Sequence, residues 1–116
     1  MVPKEQTEQK LMGLFELDEE GTVLYSSIES TSGYMYREPR LDGANFFTEI
    51  ASFNNKDDFH RRFDIFRLAD NRACTFGFTC EYPDGEFAVK VVMARLFLDQ
   101  NHSSFLVHLR KPQLDP

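Results

Sequence analysis

A chain of 116 residues that is 41% hydrophobic, with 12 phenylalanines and no tryptophan, holds enough apolar material for one compact core and too little length for two domains. Its formal net charge of −6 comes from acidic residues spread along the sequence, and its basic clusters are balanced, as where Lys56-Asp57-Asp58 precedes Arg61-Arg62. Nucleic acid and anionic membrane are therefore excluded as expected partners, and the lack of any apolar run near ~20 residues or of a signal-peptide centre in Met1 to Lys10 points to a cytoplasmic protein.

In chain order, residues 1–12 read as an N-terminal segment, with a helical cap expected from Lys4 to Met12 behind Pro3. Residues 13–111 form the expected domain, and 112–116 a tail. Phe15 and Leu17 alternate with Glu16 and Asp18, and Val23 and Tyr25 alternate with Thr22 and Leu24. The intervening Asp18-Glu19-Glu20-Gly21 is a hairpin turn in which the glycine supplies positive φ. Ser26 to Gly33 is rich in hydroxyls that compete for backbone hydrogen bonds, so turns or a short helix are expected there. The irregular region continues through Arg37-Glu38-Pro39-Arg40. Asn45 is placed to cap a short helix ending at Ala51, with Phe46, Phe47 and Ile50 on its apolar side.

The amphipathic helix from Lys56 to Ala69 repeats Phe59, Phe63 and Phe66 at helical spacing, and Ile65 widens that stripe. Three strands follow. Cys74, Phe76, Phe78, Cys80 and Tyr82 alternate with polar or small residues; Pro83-Asp84-Gly85 turns the chain; Phe87, Val89, Val91 and Met93 alternate likewise. After Asp99-Gln100-Asn101, so do Phe105, Val107 and Leu109. At ~3.3 Å per residue Cys74 and Cys80 lie roughly 20 Å apart on one strand, beyond disulfide reach, and read as small buried hydrophobes.

The order hairpin, short helices, long helix and three-strand meander, together with Asp42-Gly43-Ala44-Asn45-Phe46-Phe47 and Phe76-Gly77-Phe78-Thr79-Cys80-Glu81-Tyr82, resembles a PAS domain of the photoactive yellow protein type. The resemblance runs without a gap from Gly21 to Tyr82 and implies an α+β fold, a five-stranded antiparallel sheet with helices on one face. In that family a cysteine carries a p-coumaric acid thioester, and a tyrosine and a glutamic acid bind its phenolate. Those positions fall here on Phe53, Ser26 and Ser30, and neighbouring family positions on Tyr34 and Tyr36. A one-residue slip would bring Tyr25 and Glu29 into the place of the missing partners, yet no slip supplies a thiol at Phe53. Large rings at Phe53 and Tyr34 are expected to occupy the chromophore space.

Other cofactors are not expected either. Phe53-Asn54-Asn55-Lys56 lacks the cysteine of flavin-binding relatives. His60, the one histidine on the long helix, lies about 100° from Phe59, on the surface side. His102 falls in a turn, His108 faces out from the sheet core, and three scattered histidines have no ligand partners at zinc spacing. No nucleophile motif, phosphate loop or apolar carboxylate pair points to an enzyme, and Asp57-Asp58 reads as a helix start.

Phe46, Phe53, Phe63, Phe66, Phe76, Phe78 and Cys80 are expected to form packed core. The alternative is the lining of an apolar pocket that takes a small ligand. Outward apolar residues Leu14, Leu24, Val92, Leu96 and Leu106 are candidates for a homodimer or partner surface. The function expected is a non-catalytic sensory or protein-interaction module, with a small-molecule receptor as the alternative.

Overall fold

Alternation at the start of the domain becomes a hairpin. β1 (Gly13–Leu17) buries Phe15 and Leu17 and pairs antiparallel with β2 (Val23–Glu29). Asp18 holds the turn by accepting from the N–H groups of Glu20 and Thr22, both at 2.9 Å. Gly21 completes it at φ +90°, where a Cβ would stand 2.8 Å from the Phe47 ring. This computed structural model describes residues 10–30, 33–69, 71–97, 99 and 102–112.

Three expectations for the first half of the chain need correction. Ser26 to Glu29 is strand, because Phe15, Leu14 and Gly13 pair with Ser26, Ser27 and Ile28. The Ser26 hydroxyl, instead of competing for local backbone groups, donates to the Glu38 carbonyl at 2.9 Å. That return of the chain makes a further strand, β3 (Met35–Arg37), whose residues pair with Ser27 to Glu29. The sheet consequently has six strands, in the order β3-β2-β1-β6-β5-β4, rather than five. The helical cap lies mainly outside the described residues, but Lys10 to Met12 are not helical. Tertiary bonds hold them: the Leu11 N–H donates to the Tyr82 hydroxyl at 2.9 Å and the Met12 carbonyl accepts from Glu29 at 3.0 Å.

Asn45 caps as expected, its Oδ1 accepting from the N–H groups of Phe47 and Thr48 at 2.9 and 3.1 Å. The turn it starts, Phe46–Ile50, is π-helical, closed by the Ala51 N–H on the Phe46 carbonyl at 2.8 Å. α1 (Lys56–Leu68) then buries Phe59, Phe63 and Phe66. Ile65 does not widen that stripe. It is 60% exposed, since it sits about 100° from Phe66 and 200° from Phe63 around the helix.

β4 (Ala73–Tyr82), β5 (Gly85–Phe97) and β6 (Ser103–Arg110) complete the sheet as antiparallel neighbours, Phe76 opposite Val91 and Met93 opposite Val107. Val89, Val91, Met93, Phe105, Val107 and Leu109 point from β5 and β6 toward α1 and the π-helical turn. The core is thus one layer, between the inner face of the sheet and the helices, and the outer face of the sheet is the molecule's other side.

Candidate functional site

The phenylalanine layer is where most of the residues expected as core or pocket lining converge. Phe53 follows the π-helical turn and is 1% exposed. Its ring centroid stands 5.9 Å from each of Phe59, Phe78 and Tyr82. Phe46 contacts Phe15 and Phe47 at 5.0 and 5.2 Å, Phe63 meets Phe105 at 5.4 Å, and Phe66 reaches the same ring at 6.3 Å. Most of these pairs are edge-to-face, the arrangement that aromatic quadrupoles favour. Of the residues singled out from sequence, Phe46, Phe53, Phe63, Phe66, Phe78 and Cys80 come together here. Phe76, like Phe78, is half-buried and packs against this cluster, and the Arg62 guanidinium covers its ring at 3.9 Å.

The pleat sends Tyr25 and Ser26 to opposite faces of β2. Ser26 is 0% exposed and faces the core, whereas Tyr25 faces outward under the Arg37 guanidinium at 4.4 Å. Tyr34 does not occupy the interior as expected: it is 63% exposed, with its ring 6.4 Å from that of Tyr36. The cause is β3, which holds Tyr36, and Tyr34 just ahead of it, at the sheet margin beyond the core layer.

Open grooves flank this layer among the described residues. One of about 350 Å³ is floored by Leu11, Ile28, Leu41 and Ile50 and rimmed by Lys10, Glu38, Arg40 and Glu49. It shares no residue with the pocket expected from sequence, because its walls meet only when Lys10 is tied to Asp84 at 2.7 Å and β3 folds back on β2. Two others, about 220 and 470 Å³, lie on either side of β4.

On the outer face, Leu14 pairs with His108, which pairs with Val92; Leu106 lies opposite Ala94, and Leu96 opposite Ser104. These side chains are half-buried. Leu24 sits at the bulge between Glu16 and Leu17 and is exposed. Sequence reading missed Ser104, fully buried on this face with its hydroxyl donating to Glu16 at 2.7 Å. It also missed Asn55, whose side chain bonds the edge of β4 at Thr79 and Glu81, at 2.8 and 3.0 Å, instead of capping α1.

Burial pushes the Cys80 thiol up to about 12 and raises Cys74 as well, despite nearby Arg62, so both are protonated and poor nucleophiles at neutral pH. Burial also raises the Tyr82 hydroxyl, opposed by the Leu11 N–H. The His60 ring stacks on Phe47 at 4.1 Å, with Nε2 3.7 Å from Asp64, a half-exposed lid on the core. Among the described residues no three His, Cys, Asp or Glu side chains converge as a metal site, and no helix is long and apolar enough to cross a membrane.

Neither a protein-family model nor a curated protein sequence matches the chain. Solved structures do. The photoactive yellow protein domain of the sensor histidine kinase Ppr from Rhodospirillum centenum superposes with a TM-score of 0.57 at 18% identity, over 95% of this chain and 94% of that one. A PAS domain from a two-component sensor histidine kinase gives a TM-score of 0.49 at 16% identity, over 93% and 91% of the two chains. With its antiparallel sheet, its helices on one face and its full-length superposition on a photoactive yellow protein domain, this chain has the PAS fold.

Proposed function

We propose that the chain is a non-catalytic PAS module of signal transduction, without a chromophore, that acts through protein contacts on the outer face of its sheet. The observation that carries this reading is the half-buried apolar row Leu14, Val92, Leu96 and Leu106 on the side of the sheet away from the phenylalanine layer. Phe53, on which the resemblance places the family's cysteine, is enclosed by rings and leaves no room beside it, which supports the absence of an attached chromophore. The free thiols Cys74 and Cys80 suit a cytoplasmic setting.

Burying four such side chains could contribute on the order of several kcal/mol before association costs are subtracted. The double substitution Val92→Asp and Leu106→Asp is expected to shift the sedimentation mass from dimer to monomer, or to abolish capture of a partner protein. Unchanged mass and unchanged capture would remove the outer face from the account.

A second reading, a small-molecule receptor, is favoured by the groove of about 350 Å³ with its apolar floor and charged rim. Solvent extraction of the purified protein, followed by mass spectrometry, separates the two readings. A recovered small molecule whose loss follows Leu41→Arg would support the receptor.

A further inference from the structure

We propose that the open edge of β4, from Ala73 to Gly77, is a docking site for an extended acidic segment of a partner protein, which adds to the sheet as another strand. This goes beyond contact through the outer face and uses a different surface.

The backbone geometry defines the site. β4 is at the margin of the sheet. The Arg95 N–H donates to the Arg72 carbonyl at 2.8 Å, so even-numbered residues of β4 bond β5, and odd-numbered residues turn their N–H and C=O groups to the open side. Asn54 and Asn55 confirm this at the far end: the Asn55 side chain accepts from the Glu81 N–H and donates to the Thr79 carbonyl, and the Asn54 N–H donates to the Glu81 carbonyl at 2.6 Å. The two asparagines therefore close the edge at Thr79 and Glu81. At Ala73, Thr75 and Gly77 no described residue does the same, and all three are exposed. An uncovered row of strand donors and acceptors is a template for another strand.

Side-chain surroundings select the occupant. Successive side chains of an added strand would point to opposite faces. One set would meet the groove of about 220 Å³ walled by Ile65, Phe66 and Phe76, and the other the groove of about 470 Å³ over Gly77, Ala88 and Lys90. Arg62 overhangs the first groove on the Phe76 ring, and Arg72 lies beside its start against Phe97 at 5.3 Å. Among the described residues neither arginine, nor Lys90, has a carboxylate partner, whereas Arg61 and Arg67 are paired with Asp58 and Asp64. In a chain of net charge −6, this edge is a cationic site that accepts acidic residues, with apolar ones between them.

The test is selection from a phage-displayed library of random linear peptides on the immobilised full chain, followed by titration of the most enriched peptide in synthetic form. Enriched sequences should alternate acidic and apolar residues, and the peptide should shift the backbone amide resonances of Thr75 and Gly77. Thr75→Pro deletes an edge-facing N–H and leaves the ladder to β5 intact, so affinity should drop about ten-fold, the worth of a good hydrogen bond. Arg62→Glu, on an exposed helix position, should weaken binding at least as much and flatten its salt dependence, and it keeps the test decisive if the proline variant misfolds. Glu19→Ala, in the exposed turn between β1 and β2, should leave the affinity unchanged. No enrichment, enrichment of neutral or basic sequences, or affinity indifferent to both edge variants would overturn the proposal. So would a concentration-dependent dimer that is lost in Thr75→Pro without any peptide binding, since a second copy would then be the occupant.

Discussion

Phe53 shows how far a single residue could be read ahead of the structure. An ungapped resemblance from Gly21 onward places it where a thiol would be needed, and alternation alone could not have said so. The structure adds the enclosing rings of Phe59, Phe78 and Tyr82. Phe53→Ala should therefore open a void and cost about 3 to 5 kcal/mol in denaturant unfolding, while a loss under ~1 kcal/mol would mean the ring lines space rather than fills it. Tyr34 was misread because the resemblance fixed its position in the chain but not the strand just after it that holds it at the margin. His108 was read correctly as outward, yet its surroundings were not legible. Burial, aided by the Arg110 charge and opposed by Glu29, holds its imidazole below the ordinary value of 6.5. The unfolded chain then binds the proton more tightly, so the stability from neutral His108 is complete above that ordinary value and declines as pH falls through it toward the lower folded value. Urea midpoints should drop as pH is lowered from about 7.5 to about 5.5, and His108→Gln should remove part of that dependence.

At the scale of elements, period decided what was legible. β4, β5, β6 and α1 carry long unbroken patterns, so their existence and their buried faces follow from them, although β5 runs on to Phe97, past the alternation that ends near Met93. β2 beyond Tyr25 does not, because Ser26 and Ser27 are polar on both faces and only the Glu38 carbonyl, 12 residues away, makes a buried serine acceptable. β3 is three residues long, too short for any period to show. Asn55 is a similar case: a residue next to a helix start whose amide reaches 24 to 26 residues along the chain to seal β4. Loss of these two bonds in Asn55→Ala should cost about 1 to 3 kcal/mol and raise hydrogen exchange at the Glu81 amide. A neutral substitution would show that water replaces the side chain without penalty.

For the whole molecule, alternation along the strands separates two faces of one sheet. Phe105, Val107 and Leu109 line one, and Leu106 and His108 the other. The grooves were not legible in the same way, because each is made by segments distant in the chain: Lys10 meets Arg40 and Ser52 in one, Arg62 meets Cys74 in another. The account in its simplest form is a closed aromatic interior and an interacting exterior. Native mass spectrometry of the purified full chain tests both halves in one spectrum. The expected result is a dimer, or a complex with a partner protein, whose subunit mass equals that of the bare chain of 13.5 kDa. A monomer carrying a stoichiometric small-molecule adduct would contradict it.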